Sequence, residues 1–220
     1  FSMVGIAPMI GHFKLIGHRF WIIVSIHLFS NIFLAMGWFI LFTRKISWRY
    51  FPKFVAARMA GDSTTFINAL GSIAGEPLKA LYVRDIVPLK EGLATIFLDR
   101  TIHTISNTFI MLTGIVTAIF VLDLPPASIV LSLSLIAAIF IALFIVVKKQ
   151  AEGILEYLII KMPDFITKKY ITDERMRHIR ALDDEIRLIL HNRSKRKQII
   201  ASFLLHYLSL LVISTLEIYL

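Results

Sequence analysis

The chain has 220 residues, 57% of them hydrophobic and 18% charged, with a mean hydropathy of +0.74. Soluble domains average about 45–50% apolar and about 25% charged residues, so the composition excludes an ordinary soluble domain and points to a membrane protein. Lys and Arg number 24 against 15 Asp and Glu, a net charge of +9; in a membrane chain this excess sits in the loops and reports topology and anionic lipid contact, with no nucleic-acid partner implied. The absence of cysteine removes disulfides, thiolate metal sites and cysteine nucleophiles.

Residues 1–11, FSMVGIAPMIG, have the character of the tail of an earlier apolar segment, and 12–19 form a short connection. The chain opens at Phe1 without Met and closes at Leu220 inside an apolar run, so a partial chain is expected, with membrane elements missing at one or both ends. Residues 20–42 are long enough to span, since a helix crosses the hydrocarbon layer in ~20 residues. Trp21 and Trp38 suit its two interfaces, and Arg44 and Lys45 follow it. Further spans are expected at about 94–122, 127–147 and 199–220, with helical rather than alternating periodicity. The turn DLPP (123–126) has no Lys or Arg, whereas 43–53 holds Arg44, Lys45, Arg49 and Lys53 and 148–198 is rich in both. The two basic segments are therefore expected in the cytoplasm and the turn outside. His12, Lys14, His18 and Arg19 then fall outside, a mild conflict with the same rule.

That topology constrains what lies between 43 and 93. The first span ends inside and the next must begin inside, so the intervening segment returns to the side it left. Its apolar part, TFINALGSIAG (65–75), is far shorter than the ~20 residues a crossing needs. A re-entrant helical hairpin over about 54–85 is expected, with an interfacial amphipathic helix as the alternative. Irregular backbone at membrane depth is tolerated where protein buries it or water reaches it. Residues 150–198 are the polar region and should form a charged cytoplasmic helical segment. There Ile179, Leu182, Ile186 and Ile189 share one helical face, with Arg180, Asp183, Asp184 and Arg187 around it. The fold class is thus an all-α, polytopic membrane domain.

The stretch GEPLKALYVRD (75–85) carries the first candidate chemistry. Gly75 is a good helix stop, Pro77 a good first helical residue, and Gly71 and Gly75 form a GxxxG that allows close helix approach. The stretch therefore predicts a helix break at 75–76 and a fresh helix from 77, whose free N–H groups would attract an anion. Lys79 adds positive charge. Glu76 opposes an anion and needs a partner among Lys79, Arg58 and Arg100; a cap with a surface ion pair accounts for the stretch equally well. In LDRTIH (98–103), Asp99, Arg100 and His103 lie near or inside the start of a span, where charges face a bundle interior or a cavity. Asp99 and His103 share a face, and Arg100 points about 100° away. A snorkelling Arg100 beside a screened Asp99 is the plainer reading. His27 and Asn31 suit interhelical hydrogen bonding. Glu217 sits in the last apolar run without a local partner. Catalytic signatures such as GxSxG, HExxH, the P-loop and the dinucleotide fingerprint are missing from the sequence. Histidine spacing suggests no metal site. No enzyme activity, metal or cofactor is expected.

The stretch ARMAGDSTTFINALGSIAGEPLKALYVRD (57–85), followed by GLATIFLDRTIHT (92–104), resembles the flippase-like domain of the lysylphosphatidylglycerol synthase transmembrane-region family. The matching positions are Arg58, Gly61, Asn68, Gly75, Glu76, Pro77, Lys79, Ala80, Asp99 and Arg100. They cover about a fifth of the chain closely; the rest agrees in topology. The family pattern has Glu at the place of Asp99, Asp at that of His103, and often Pro near Gly71. The resemblance implies a multi-pass protein of a prokaryotic plasma membrane that moves a phospholipid, isoprenoid or hopanoid-like lipid between leaflets. It implies a substrate site at Arg58, Asn68, Glu76, Lys79 and Arg100; Asp99 and His103, and from its place in the last apolar run Glu217, are secondary candidates. Arg58, Lys79 and Arg100 would hold an anionic headgroup, and Asn68 would satisfy backbone at the turn. Two alternatives stay open: a small-solute carrier or channel built on the same broken helix, and the membrane module of a lipid-modifying enzyme with a soluble partner. A homo-oligomer is compatible with either.

Overall fold

The computed structural model describes residues 17–67, 72–122, 124–161 and 172–219. Asn68 and Gly71 lie outside the described residues, as does the side chain of Glu217. The described elements are helices: α1 (Arg19–Phe39), α2 (Phe51–Ile67), α3 (Ser72–Tyr82), α4 (Leu89–Val121), α5 (Pro126–Glu152), α6 (Ile154–Ile160), α7 (Asp173–His191) and α8 (Arg196–Tyr219), with short 3-10 turns before α2 and α8. Four of them, α1, α4, α5 and α8, are long and apolar enough to cross a membrane. Their outer faces bear large apolar side chains, such as Phe120 at 84%, Leu131 at 72% and Phe144 at 70% exposure. Such a surface demands an apolar solvent.

One end of the bundle is charged and tightly tied. Glu91 of α4 accepts hydrogen bonds from Thr43 Oγ1 at 2.7 Å, the Thr43 amide at 3.1 Å and Arg44 Nε at 2.8 Å, just past the end of α1. Lys195 donates to the Phe42 carbonyl at 2.6 Å, which satisfies an orphan acceptor there. Lys90 pairs with Glu185 of α7 at 3.3 Å, and Lys53 of α2 with Asp85 at 2.7 Å. Beneath this belt lies an aromatic cluster of Trp38, Phe39, Phe42 and Phe54 with Ala57, Ala80, Val83 and Val87.

Helix α7 follows its amphipathic pattern, with Ile186 and Ile189 buried. Its charges do a job the pattern does not announce. Buried Asp183 accepts from the amides of Leu155 and Glu156, at 3.1 and 2.9 Å, and so caps the start of α6. Arg187, one turn on, donates to the Glu152 carbonyl at the end of α5. Between them Gly153 turns the chain with φ of 104°, where a side chain would be strained.

Helices α2 and α3 pack antiparallel: Lys53 meets Asp85 at one end, and Gly61 meets Gly75 farther up. Two expectations are corrected here. The helix does not break at 75–76, since α3 runs through Gly75, Glu76 and Pro77 from Ser72. Gly75 does not take the left-handed conformation either. It is needed for contact: a methyl group there would overlap the Gly61 carbonyl oxygen, and one on Gly61 would lie 2.8 Å from the Gly75 carbonyl. Pro77 lies inside α3, exposed, and leaves one bond of that helix unmade. Trp38 is likewise no interfacial anchor; it is fully buried and donates to Thr95 Oγ1 at 3.2 Å. The span expected from 94 begins at Leu89, and the first span stops at Phe39 rather than 42.

Gly75→Ala should destabilise the protein by about 1–3 kcal/mol, because backbone cannot move aside as a flexible side chain would. Gly114→Ala is the control, having open space around it. Thermal unfolding followed by tryptophan fluorescence should show a lowered midpoint for the first variant and an unchanged one for the second.

Candidate functional site

The α2–α3 hairpin holds its polar residues against α1 and α4. Arg58, on the face of α2 turned to α1 and α4, is buried. Its Nη1 donates to Asp99 Oδ2 at 2.9 Å and to the Leu34 carbonyl at 3.3 Å, and its Nε lies 3.8 Å from Asp62. Asp99 sits ten residues into α4, a rise of about 15 Å from its start. Its other oxygen faces Nε2 of His206, a fully buried residue of α8, at 3.2 Å. The contact is not aligned as a hydrogen bond; Asp99 Oδ1, His206 Nε2, His103 Nδ1 and Ser202 Oγ are all buried without a hydrogen-bond partner. The rings of His103 and His206 stand 5.6 Å apart.

Across the hairpin, Lys79 is also buried. It reaches Asp62 at 2.7 Å and Glu76 at 3.2 Å. The close passage at Gly61 makes this reach possible, since the Lys79 stem lies over the place where a Gly61 side chain would stand. Glu76 in turn contacts Arg100 at 3.6 Å. Arg100 is half-exposed and turned away from Asp99, as the helical offset requires. So Glu76 has two of the three partners considered for it, Lys79 and Arg100.

Glu76 and Arg100 edge an open-sided cavity of about 470 Å³ between α3, α4, α6 and α7. The rest of its wall is apolar: Leu93, Ile96 and Phe97 from α4, Leu155 from α6, Leu182 and Ile186 from α7. The expected cradle of three cations is thus divided. Arg58 and Lys79 are buried against carboxylates away from the cavity, and Arg100 alone of the three lines it. Asp62 and His206 are members that sequence reasoning passed over. Asp62 stands one turn from Arg58, and His206 is a titratable residue inside an apolar run, a signal that was legible. The Asn31 amide donates to the His27 carbonyl of its own helix at 2.9 Å. Among the described residues no cluster of ligands suits a metal ion.

Outside the spans, Lys53 donates to both Asp85 oxygens at 2.7 Å and holds that carboxyl below its ordinary range. This contribution is present at neutral pH and is lost as pH falls through the lowered Asp85 value, but the pair is exposed and worth little.

Arg58→Met should cost about 3–5 kcal/mol, since it strands Asp99 in the bundle. The double variant Arg58→Met/Asp99→Leu should be more stable than Arg58→Met alone. A double-mutant cycle on the thermal or denaturant midpoint measures the coupling.

Comparison with known protein families, with curated proteins and with solved structures gave no match to this chain.

Proposed function

We propose that this chain is a flippase-like membrane protein that receives an anionic lipid headgroup at Arg100 and passes the lipid between leaflets. The observation that carries this reading is the cavity at the charged end of the bundle. It pairs one half-exposed guanidinium with a wall of Leu, Ile and Phe side chains. That combination suits an amphiphile, with phosphate on the guanidinium and acyl chain on the wall. A small polar solute would find few partners there. The family resemblance of residues 57–104 supports the same reading.

The hairpin is the natural moving or guiding part. Its register along α1 supports a re-entrant placement. Phe54 packs near Trp38 and Phe39, and Arg58 meets the Leu34 carbonyl, so α2 climbs back beside the span that precedes it. Nine further residues to Ile67 add about 14 Å of rise. Helix α3, at 11 residues, is too short to cross and returns to the charged end. In this reading the basic connections and α6–α7 lie in the cytoplasm of a cell whose plasma membrane holds the protein. Glu76 is the competitor of the headgroup: with no ligand it occupies Arg100, and an arriving phosphate displaces it.

The test uses the full chain in vesicles containing a trace of fluorescent phosphatidylglycerol, with leaflet exchange followed by outer-leaflet quenching. Arg100→Ala should slow exchange about tenfold, the worth of one charge-assisted hydrogen bond. Glu76→Gln should tighten binding of the anionic lipid by removing the competitor. Lys53→Ala, at the exposed pair, should leave exchange unchanged. Equal exchange rates in wild type and Arg100→Ala would remove the site from consideration.

A further inference from the structure

The charged groups of the bundle form one alternating chain, of which the headgroup site uses only the outer end. From the cavity inward, Arg100 contacts Glu76 at 3.6 Å, Glu76 contacts Lys79 at 3.2 Å and Lys79 contacts Asp62 at 2.7 Å. Asp62 then lies 3.8 Å from Arg58, Arg58 is 2.9 Å from Asp99, and Asp99 is 3.2 Å from His206. The outer end is half-exposed and the inner end fully buried.

Hydrogen bonding fixes the chemistry of the inner end. His206 Nδ1 lies 2.8 Å from the Ser202 carbonyl. A carbonyl only accepts, so Nδ1 carries a proton. Nε2 then faces Asp99 Oδ1, and a carboxylate also only accepts. With one ring proton, two acceptors would confront each other at 3.2 Å; a second proton, held on Nε2, turns the contact into an attraction. The packing offers that nitrogen no other partner among the described residues. On the α1 side Gly37 lies against the ring, where even a Cβ would stand 2.7 Å from it. From α4 the facing groups are Asp99 and the His103 ring, with Arg100 turned to the far side. From α2 they are Arg58, already on Asp99, and Asp62 behind it. Helix α8 itself adds only Ser202.

The proton therefore decides the charge of the chain. Without it, Arg100, Lys79 and Arg58 balance Glu76, Asp62 and Asp99. With it, the chain carries one net positive charge inside a bundle of spans, where net charge is costly. Its effect has a direction. A protonated His206 would draw Asp99 and weaken its hold on Arg58; Arg58 would then favour Asp62, Lys79 would favour Glu76, and Arg100 would be freer to meet an anion at the cavity.

We propose that the Asp99–His206 pair is a proton-binding site whose occupancy favours anion binding at Arg100, so that a proton gradient drives the lipid movement. The step is a proton transfer from water to His206 Nε2 and its later return, with no other bond changed. The cargo rests on the lipid reading above; the proton site rests on the pair itself.

Two measurements on the full chain separate these. In the first, a pH gradient of one unit is imposed in either direction across vesicles carrying the fluorescent phosphatidylglycerol. The expected result is a leaflet distribution that follows the gradient, by up to about tenfold for each proton coupled. His206→Gln should abolish that skew while gradient-free binding of the lipid persists. Lipid movement in the wild type that is indifferent to the gradient overturns the coupling, whether or not the variant folds. The second is nitrogen NMR of histidine-labelled wild type in nanodiscs, with His206 assigned by its loss in His206→Gln or, should that fail to fold, in His206→Asn. Passage of His206 between singly and doubly protonated forms within the pH range the fold tolerates supports the site. A single form throughout overturns it even if lipid transport is intact. Titration without any lipid movement leaves the proton site standing and removes the lipid reading.

Discussion

The contact between Arg58 and Asp99 is the constraint around which the bundle is arranged. A guanidinium and a carboxylate taken out of water are costly unless each meets the other with good geometry and the remaining donors are used. Arg58 meets those terms in part: Nη1 donates to Asp99 and to the Leu34 carbonyl, while Nε stays 3.8 Å from Asp62 without a hydrogen bond. To do so it must lie between α1 and α4 at the same height. That requirement fixes how far the hairpin climbs and which face it turns inward. The aromatic cluster below, centred on Phe54 and Trp38, supplies the apolar packing that holds α2 at this height.

The second requirement is closeness. Lys79 reaches Asp62 across the hairpin only because Gly61 and Gly75 let the two backbones nearly touch. Inside a membrane such close approach is a main source of helix association, because lipid is as apolar as leucine and gives little hydrophobic reward for packing. The same glycines thus serve cohesion and electrostatics together. A larger residue at either position would separate the helices and lengthen an ion pair whose lysine is buried.

The spans were legible because an uncharged apolar run of twenty residues or more is too long for a small soluble core and matches the thickness of a bilayer. Crossing parity and the shortness of the apolar part pointed to a hairpin, and α2 and α3 pack antiparallel. Local signals misled where tertiary packing overrode them. Gly75 and Pro77 look like a stop and a start, yet helix contact with Gly61 carries α3 straight through both. Trp38 resembles an interfacial anchor, but its indole finds Thr95 in the interior. Lys90, Glu91 and Gly92 look like loop and are the first turn of α4, because Glu91 is needed to gather the amides after α1. At the candidate site, charge types and the local partners of Glu76 were readable, and the long-range partners of Arg58 and Asp99 were not. Nothing local distinguishes Arg100, which faces a cavity, from Arg58, which is held by a residue far along the chain.

The division of those cations has a consequence for how a site of this kind works. Three free cations around one pocket would bind an anion tightly and hold it, since release would expose all of them. Here the buried cations are already neutralised, and the one at the cavity is held by a single long contact to Glu76. In the lipid reading proposed above, an incoming phosphate would displace the Glu76 carboxylate from Arg100, and because Glu76 stays in the site the phosphate adds its own negative charge there. The apolar wall from α4, α6 and α7 adds an interaction that depends on the chain of the ligand rather than on its charge. Helix α7 contributes to that wall while Asp183 and Arg187 lock it to the α5–α6 corner. The α6 and α7 parts of the wall are thus tied together at that corner.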